Sequence, residues 1–255
     1  MISKLMLFVL LTGHVLGDFY FQTDNMVEKR KTSFRYVLLH SLVYLVTMIA
    51  MAAIGFVDVK SAIAMALLAG LAHFVIDAVK YLVAHSEDNA NWIHRHLFLV
   101  DQCVHIISII VISGFFQNAQ IRELFLQKVM HGQYAIITVA LGLLCILRPV
   151  SILITESNLW QEKAAQKLET DLANNGKTED VKEAGKVIGY MERGIIFFLL
   201  MYGQYSAMAF VLTAKSVARF KEIEENRANA EYYLIGTLFS ITCVIVICAL
   251  LGLCG

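Results

Sequence analysis

A chain of 255 residues that is 58% hydrophobic and only 16% charged has too little polar surface to enclose itself in water. Its 21 basic and 21 acidic residues cancel, which argues against nucleic acid as a partner. Cys103, Cys145, Cys243, Cys248 and Cys254 lie in apolar runs without a CxxC pair, so neither a disulfide framework nor a zinc knuckle is expected.

Apolar runs fall at about 3–20, 36–56, 61–84, 96–116, 133–154, 194–214 and 232–253, and a helix needs roughly 20 apolar residues to cross hydrocarbon. The expected fold is an all-α, polytopic transmembrane helical bundle of six or seven hydrophobic segments. The first run has no small-residue cleavage site and carries a polar pair, so it reads as a retained span and not a signal peptide. Lys29, Arg30, Lys31 and Arg35 follow it. By the positive-inside rule they put that loop in the cytoplasm and the N-terminus outside. Residues 155–190 are charged, begin like a capped helix at TESNLWQEK and read as a cytoplasmic segment.

The run 194–214 is interrupted by Gly203, Gln204, Tyr205 and Ser206, and the loop after it carries Lys215, Arg219, Lys221 and Arg227. A re-entrant hairpin broken at Gly203 keeps those cations on the cytoplasmic side; the alternative is a plain seventh span. The expected organisation is a four-helix core over 1–116 and a fifth helix with its loop over 117–154. The cytoplasmic segment at 155–190 and a C-terminal membrane segment at 191–255 complete it.

The chemistry concentrates in the first four runs, which carry His14 and Asp18, then His40, then His73 and Asp77, then Asp101 and His105. Spacings of four put each pair on one helix face. Runs one and three travel in the same direction and read His before Asp; run four travels back and reads Asp before His. The reversal restores one order in space, so all seven residues fall at a shared depth on the cytoplasmic side, within roughly 3 to 16 Å of the inner boundary. Ionisable groups in hydrocarbon cost at least about 2.5 to 3.5 kcal/mol and normally face a partner or a wet cavity. A single cluster is therefore expected.

Imidazole and carboxylate on facing bundle helices form a ligand set for zinc, manganese or iron. His14, His40, His73, His105, Asp18, Asp77 and Asp101 are the candidate ligands of a divalent ion, and an Asp not used as a ligand is a candidate catalytic base. A proton or ion path and a structural hydrogen-bond network are the other readings. Gln22, Lys80 and Gln102 lie on the shallow side as candidate substrate contacts, although Lys80 reads more simply as snorkelling to headgroups. Glu192, Arg193, Lys215 and Arg219 flank the broken run; interfacial anchoring is the plain reading, a lid or headgroup clamp the functional one. His85, His94, His96 and His131 give no ligand spacing and read as solvated or interfacial.

The pieces HVLGDFYFQTD (14–24), HFVIDAVK (73–80) and DQCVH (101–105) resemble the bacterial membrane family known as domain of unknown function 3307. The likeness covers about the first 115 residues. GKVIGYMERGI and AKSVARF, within 185–220, are similar to the tail of that family's longer members. This resemblance implies a bacterial inner-membrane location and no particular activity. More loosely, His and Asp on short bundle helices resemble membrane-bound metal-dependent hydrolases of bacteria.

The leading expectation is a membrane-embedded, metal-dependent hydrolase acting near the cytoplasmic leaflet on an amphiphilic phosphoester or amide. A metal-bound water would be the nucleophile and an Asp the base. Membrane lipids and an amphiphilic small molecule are the expected partners. The rival is a transporter or channel moving protons or a divalent metal, weakened by the lack of an inverted His/Asp repeat in the C-terminal half. A scaffold with a polar core is the third reading.

Overall fold

The computed structural model describes residues 4–56, 58–85, 91–116, 134–156, 178–218 and 227–254. Among these residues the regular structure is helical. Helix α1 (Lys4–Val15) runs into a π-helical turn (Leu16–Tyr20), and α2 (Asp24–Arg30), α3 (Phe34–Gly55), α4 (Val59–Ala84) and α5 (Asn91–Phe115) follow. The later helices are α6 (Tyr134–Glu156), α7 (Thr178–Met201), α8 (Tyr205–Ala218) and α9 (Arg227–Leu251). Among the described residues five stretches are long and apolar enough to cross a membrane: Phe34–Gly55, Val59–Ala84, Leu97–Phe115, Thr138–Thr155 and Tyr233–Leu251. The first run is shorter than the sequence reading assumed. Its apolar part, Met6–Tyr20, is roughly 22 Å long at 1.5 Å per residue, against about 30 Å of hydrocarbon.

The chain forms two compact units, Met1–Leu141 and Gly142–Gly255, with the boundary inside α6. In the first, α3 packs along α4, and α1 and α5 close the bundle against them. The faces are inverted relative to a water-soluble helix. On α3 the buried positions are Val37, His40, Ser41, Tyr44, Thr47, Met48, Ala52 and Gly55, whereas Leu38, Leu39, Leu42, Val46 and Ile49 point outward. Helix α4 buries Ala62, Met65, Ala66, Ala69, Gly70, His73 and Asp77. That stripe is small at one end, which lets backbones approach closely, and ionisable at the other. Side chains that seek partners face in and leucines face out, as a lipid surround requires.

The bundle is polarised along its length. Met6, Val9 and Leu10 of α1, Met48, Ala52 and Phe56 of α3, Met65, Ala66 and Ala69 of α4, and Ile109 and Ile112 of α5 form one apolar core. The buried ionisable residues lie toward the opposite end of α1, α3 and α4 and in the middle of α5. Because neighbouring helices alternate in direction, this places the end of α1, the start of α3, the latter part of α4 and the middle of α5 together.

The second unit is built from the rest of α6 with α7, α8 and α9. Phe197 is fully buried and packs where Gly142 leaves room, since a Cβ there would lie 2.8 Å from its ring. Helix α7 continues without a break through residue 190, so the boundary drawn there from the sequence falls inside one helix. Gly203 takes φ 63°, a left-handed conformation that costs other residues roughly 1–2 kcal/mol. From it α8 folds back along α7 until the Lys215 ammonium pairs with Glu192. Each limb beyond that pair has about ten residues and reaches roughly 15 Å. The interrupted run is thus a helical hairpin and not one straight helix. Residues 157–177, which hold most of the charged segment, and Arg219 and Lys221 lie outside the described residues.

Candidate metal centre

Each side chain of the cluster is positioned by its helix. His14 ends α1, and Asp18 sits in the π-helical turn, where the Phe21 N–H donates to the Leu16 carbonyl at 2.9 Å. Such widened turns recur at functional sites because they re-aim one side chain. Gly17 in this turn lies against Tyr44: a Cβ there would be 2.9 Å from the Tyr44 ring and 3.4 Å from its Cα. The close approach lets Tyr44 stack on His73, with ring centroids 3.7 Å apart at 22°. His40 and Tyr44 share a face of α3; His73, Asp77 and Lys80 share one of α4; Asp101 and His105 share one of α5.

All seven predicted His and Asp residues come together. His14, His40, His73 and His105 are at most 2% exposed, and Asp18, Asp77 and Asp101 are buried with them. The His73 ring lies 4.5 Å from that of His105 and 5.2 Å from that of His40, and His14 stacks on His105 at 5.4 Å.

The spacing between nitrogens and carboxylates is informative. His40 Nε2 is 3.1 Å from Asp18 Oδ1 and 3.5 Å from Asp77 Oδ2, while His73 Nε2 is 3.7 Å from Asp18 Oδ1 and His73 Nδ1 is 3.8 Å from Asp77 Oδ2. Only the first is a hydrogen-bond length. The two from His73 lie a few tenths of an ångström above the roughly 3.3 Å that separates two ligands of one tetrahedral ion at about 2.0 to 2.1 Å from each. Among the described residues there are three sets within each of which the ligand atoms lie within 4.8 Å of one another, close enough to hold an ion: His14, Asp18 and His73; His40, His73 and Asp77; Asp77, Asp101 and His105. His73 and Asp77 each belong to two sets, so the three are contiguous.

Imidazole nitrogens remain available. Both of His14 and both of His73, with His40 Nδ1 and His105 Nε2, are buried without a hydrogen-bond partner. His105 Nδ1 donates to the Asp101 carbonyl at 2.9 Å, which puts its proton on Nδ1 and leaves Nε2 as the lone-pair nitrogen. His40 Nε2 donates to Asp18, so its lone pair is likewise on the unpartnered nitrogen.

Around the carboxylates stands a ring of donors. The Gln102 amide donates to Asp18 Oδ2 at 2.9 Å and to Asp101 Oδ2 at 3.3 Å. Gln22 donates to the backbone carbonyl of Asp18, one turn back, leaving its own Oε1 buried and unpartnered. Lys80 does not snorkel: its ammonium is 2.7 Å from Asp101 Oδ2. It turns inward to a carboxylate that is itself buried on α5.

Two residues were missed from the sequence. Arg30, counted there only as a topology marker, reaches back from α2 to Asp77 at 3.4 Å and Asp18 at 3.8 Å. Nothing in its basic neighbourhood singles it out. Tyr44 lies four residues after His40, the same spacing that flagged the His/Asp pairs, and so was within reach.

The second constellation divides. Glu192 pairs with Lys215, whose ammonium also lies 5.2 Å over the Tyr233 ring. Arg193 is no interfacial anchor: it is 3% exposed, donates to the Leu147 carbonyl at 3.3 Å and lies over Tyr190. His85 caps α4 and donates to the Tyr81 carbonyl at 2.8 Å. The side chains of His94 and His96, and all of His131, lie outside the described residues.

No curated protein and no solved structure matches the chain. The model of the family described as Protein of unknown function (DUF3307) matches residues 6–133, a stretch that includes every member of the cluster. The chain belongs to the DUF3307 family.

Proposed function

We propose that the chain is a membrane-embedded, metal-dependent hydrolase whose divalent ion is held by the His/Asp cluster. The observation that carries the metal is the spacing around His73. Nε2 faces Asp18 and Nδ1 faces Asp77, each too far for a hydrogen bond and near the separation of two ligands on an ion. Neither nitrogen has another hydrogen-bond partner, so an ion is accommodated on either side of the ring. A fully buried imidazole left in that state costs on the order of 1–3 kcal/mol per unmet group, which an ion would offset.

Hydrolysis is favoured over transport because, among the described residues, the buried histidines and aspartates gather at one end of the bundle. Its other end is the apolar core around Met48, Phe56, Met65 and Ile109, so among the described residues no chain of buried ionisable groups continues through it. A ligand that enters at the Arg30 and Lys80 end leaves there too. When bound, the ion supplies Lewis acidity and an acidified water. The proposed ligands come from the two sets that share His73: His14 and Asp18 on one side of its ring, His40 and Asp77 on the other. Asp101 is the proposed general base: Lys80 and Gln102 hold its Oδ2, and its Oδ1 is buried without a hydrogen-bond partner. The substrate is an amphiphile whose labile bond lies near the headgroup level of the cytoplasmic leaflet.

Metal analysis of the purified protein beside a His73→Ala variant tests the reading. A zinc, manganese or iron content in fixed ratio to wild-type chain, lost in the variant, is expected. Equal and negligible metal in both would leave a hydrogen-bonded scaffold. Exchange of that metal across sealed liposomes would move the assignment to transport.

A further inference from the structure

We propose that the ligand of this centre carries a phosphate group, recognised by Arg30 of α2 and Lys80 of α4. The inference rests on the metal reading above and names the substrate class for it. Its basis is a count of charge in a buried place. With neutral imidazoles, the carboxylates of Asp18, Asp77 and Asp101 and the cations Arg30 and Lys80 sum to −1. One divalent ion makes the site +1, and two make it +3. Uncompensated charge is strongly disfavoured beneath a low-dielectric wall, so the loaded centre calls for an anion.

The atoms involved show where that anion would be met. Asp18 Oδ1 and Asp77 Oδ2, the oxygens that Arg30 faces at 3.8 and 3.4 Å, are the same oxygens that lie 3.1 to 3.8 Å from the nitrogens of His40 and His73. An ion held by those oxygens takes over the charge that now attracts the guanidinium, and it repels Arg30. The guanidinium keeps its donors and needs a new acceptor. Lys80 is held by Asp101 Oδ2, at 2.7 Å, while His105 faces the other oxygen of that carboxylate. Arg30 and Lys80 are also the cluster's most exposed charges, with side chains 20% and 26% accessible, so they line the entrance and not the interior. A guanidinium fork, a mobile ammonium and a metal ion together match a tetrahedral oxyanion with several oxygens. A neutral amide offers no charged oxygens to the guanidinium and the ammonium.

The test uses the full-length protein reconstituted with its metal. Phosphate binding is followed by calorimetry in detergent with inorganic phosphate, and in nanodiscs with phosphatidate against phosphatidylcholine. We expect binding of one or both phosphate probes that requires metal and weakens at least about tenfold in Arg30→Gln and in Lys80→Gln, while metal content is retained. Phosphatidate alone binding identifies a lipid headgroup, and inorganic phosphate alone a soluble phosphate; either supports the assignment. Metal-loaded wild type that binds neither probe overturns it, whatever the variants do, as do variants that hold metal and bind phosphate as tightly as wild type. Wild type that takes up no metal overturns the metal reading and this inference together.

Discussion

Gly17 and Tyr44 meet where α1 widens into its π-helical turn, and their contact sets the ring that lies on His73. Tyr44 is 1% exposed, so it has nowhere to move if a methyl group arrives 2.9 Å from its ring. Gly17→Ala should therefore destabilise the protein by about 1–3 kcal/mol, the usual cost of overpacking. It should also weaken metal uptake, because the displaced ring pushes His73. Melting and metal content measured together check this; an unchanged metal content at a lowered melting temperature would confine the effect to packing. The His and Asp positions themselves were legible from the sequence, since spacings of four and the reversed order on α5 are consequences of helix geometry alone. Arg30 and the partner of Lys80 were not, because both depend on where α2 and α5 pack, which no local spacing encodes. The π-helical turn was also invisible: HVLGDFY reads equally well as ordinary α-helix.

At the level of helices, the connection from α3 to α4 is stopped by Asp58. Its carboxylate accepts from the Ser61 hydroxyl and from the backbone N–H groups of Lys60 and Ser61. These bonds, the hydroxyl first, hold the Asp58 carboxyl below its usual range. A depressed carboxylate adds stability above its unfolded value of about 3.9, and that stability is lost as pH falls through the lower folded value. The melting difference between wild type and Asp58→Ala should therefore be widest near neutrality and narrow below about pH 4. A difference that stays constant through that range would rule the capping account out. The hairpin of α7 and α8 makes its own prediction. Because Lys215 returns to Glu192, residues just outside that pair lie at one level. In a background without native cysteines, Lys186→Cys and Ser216→Cys should both be labelled from the same face of sealed vesicles. Labelling from opposite faces would restore the straight seventh span. The break itself was legible in Gly203 and its polar neighbours, whereas the continuity of α7 through residue 190 was not: a charged stretch and an apolar one can share a helix.

Taken whole, the first unit has a dry end, a polar end and an outer surface of leucine, isoleucine and valine, so its stability should depend on what neutralises the polar end. If a divalent ion does so, it binds the folded chain and not the unfolded one. Stabilisation then follows RT ln(1 + [L]/Kd), about 2.7 kcal/mol at a hundredfold excess over Kd. Chelator should lower the melting temperature of the wild type in detergent, and zinc, manganese or iron should restore it. His73→Ala removes a residue shared by two of the three ligand sets, so it should melt lower and respond neither to chelator nor to added metal. A hydrogen-bonded network makes a different prediction. Loss of His73 would still destabilise, since Tyr44 and His105 lose the ring they pack on, but chelator would leave the wild type unmoved. A proton path would substitute dependence on pH for dependence on metal. The chelator arm on the wild type separates these cases, because it changes no side chain and so cannot be confused with lost packing.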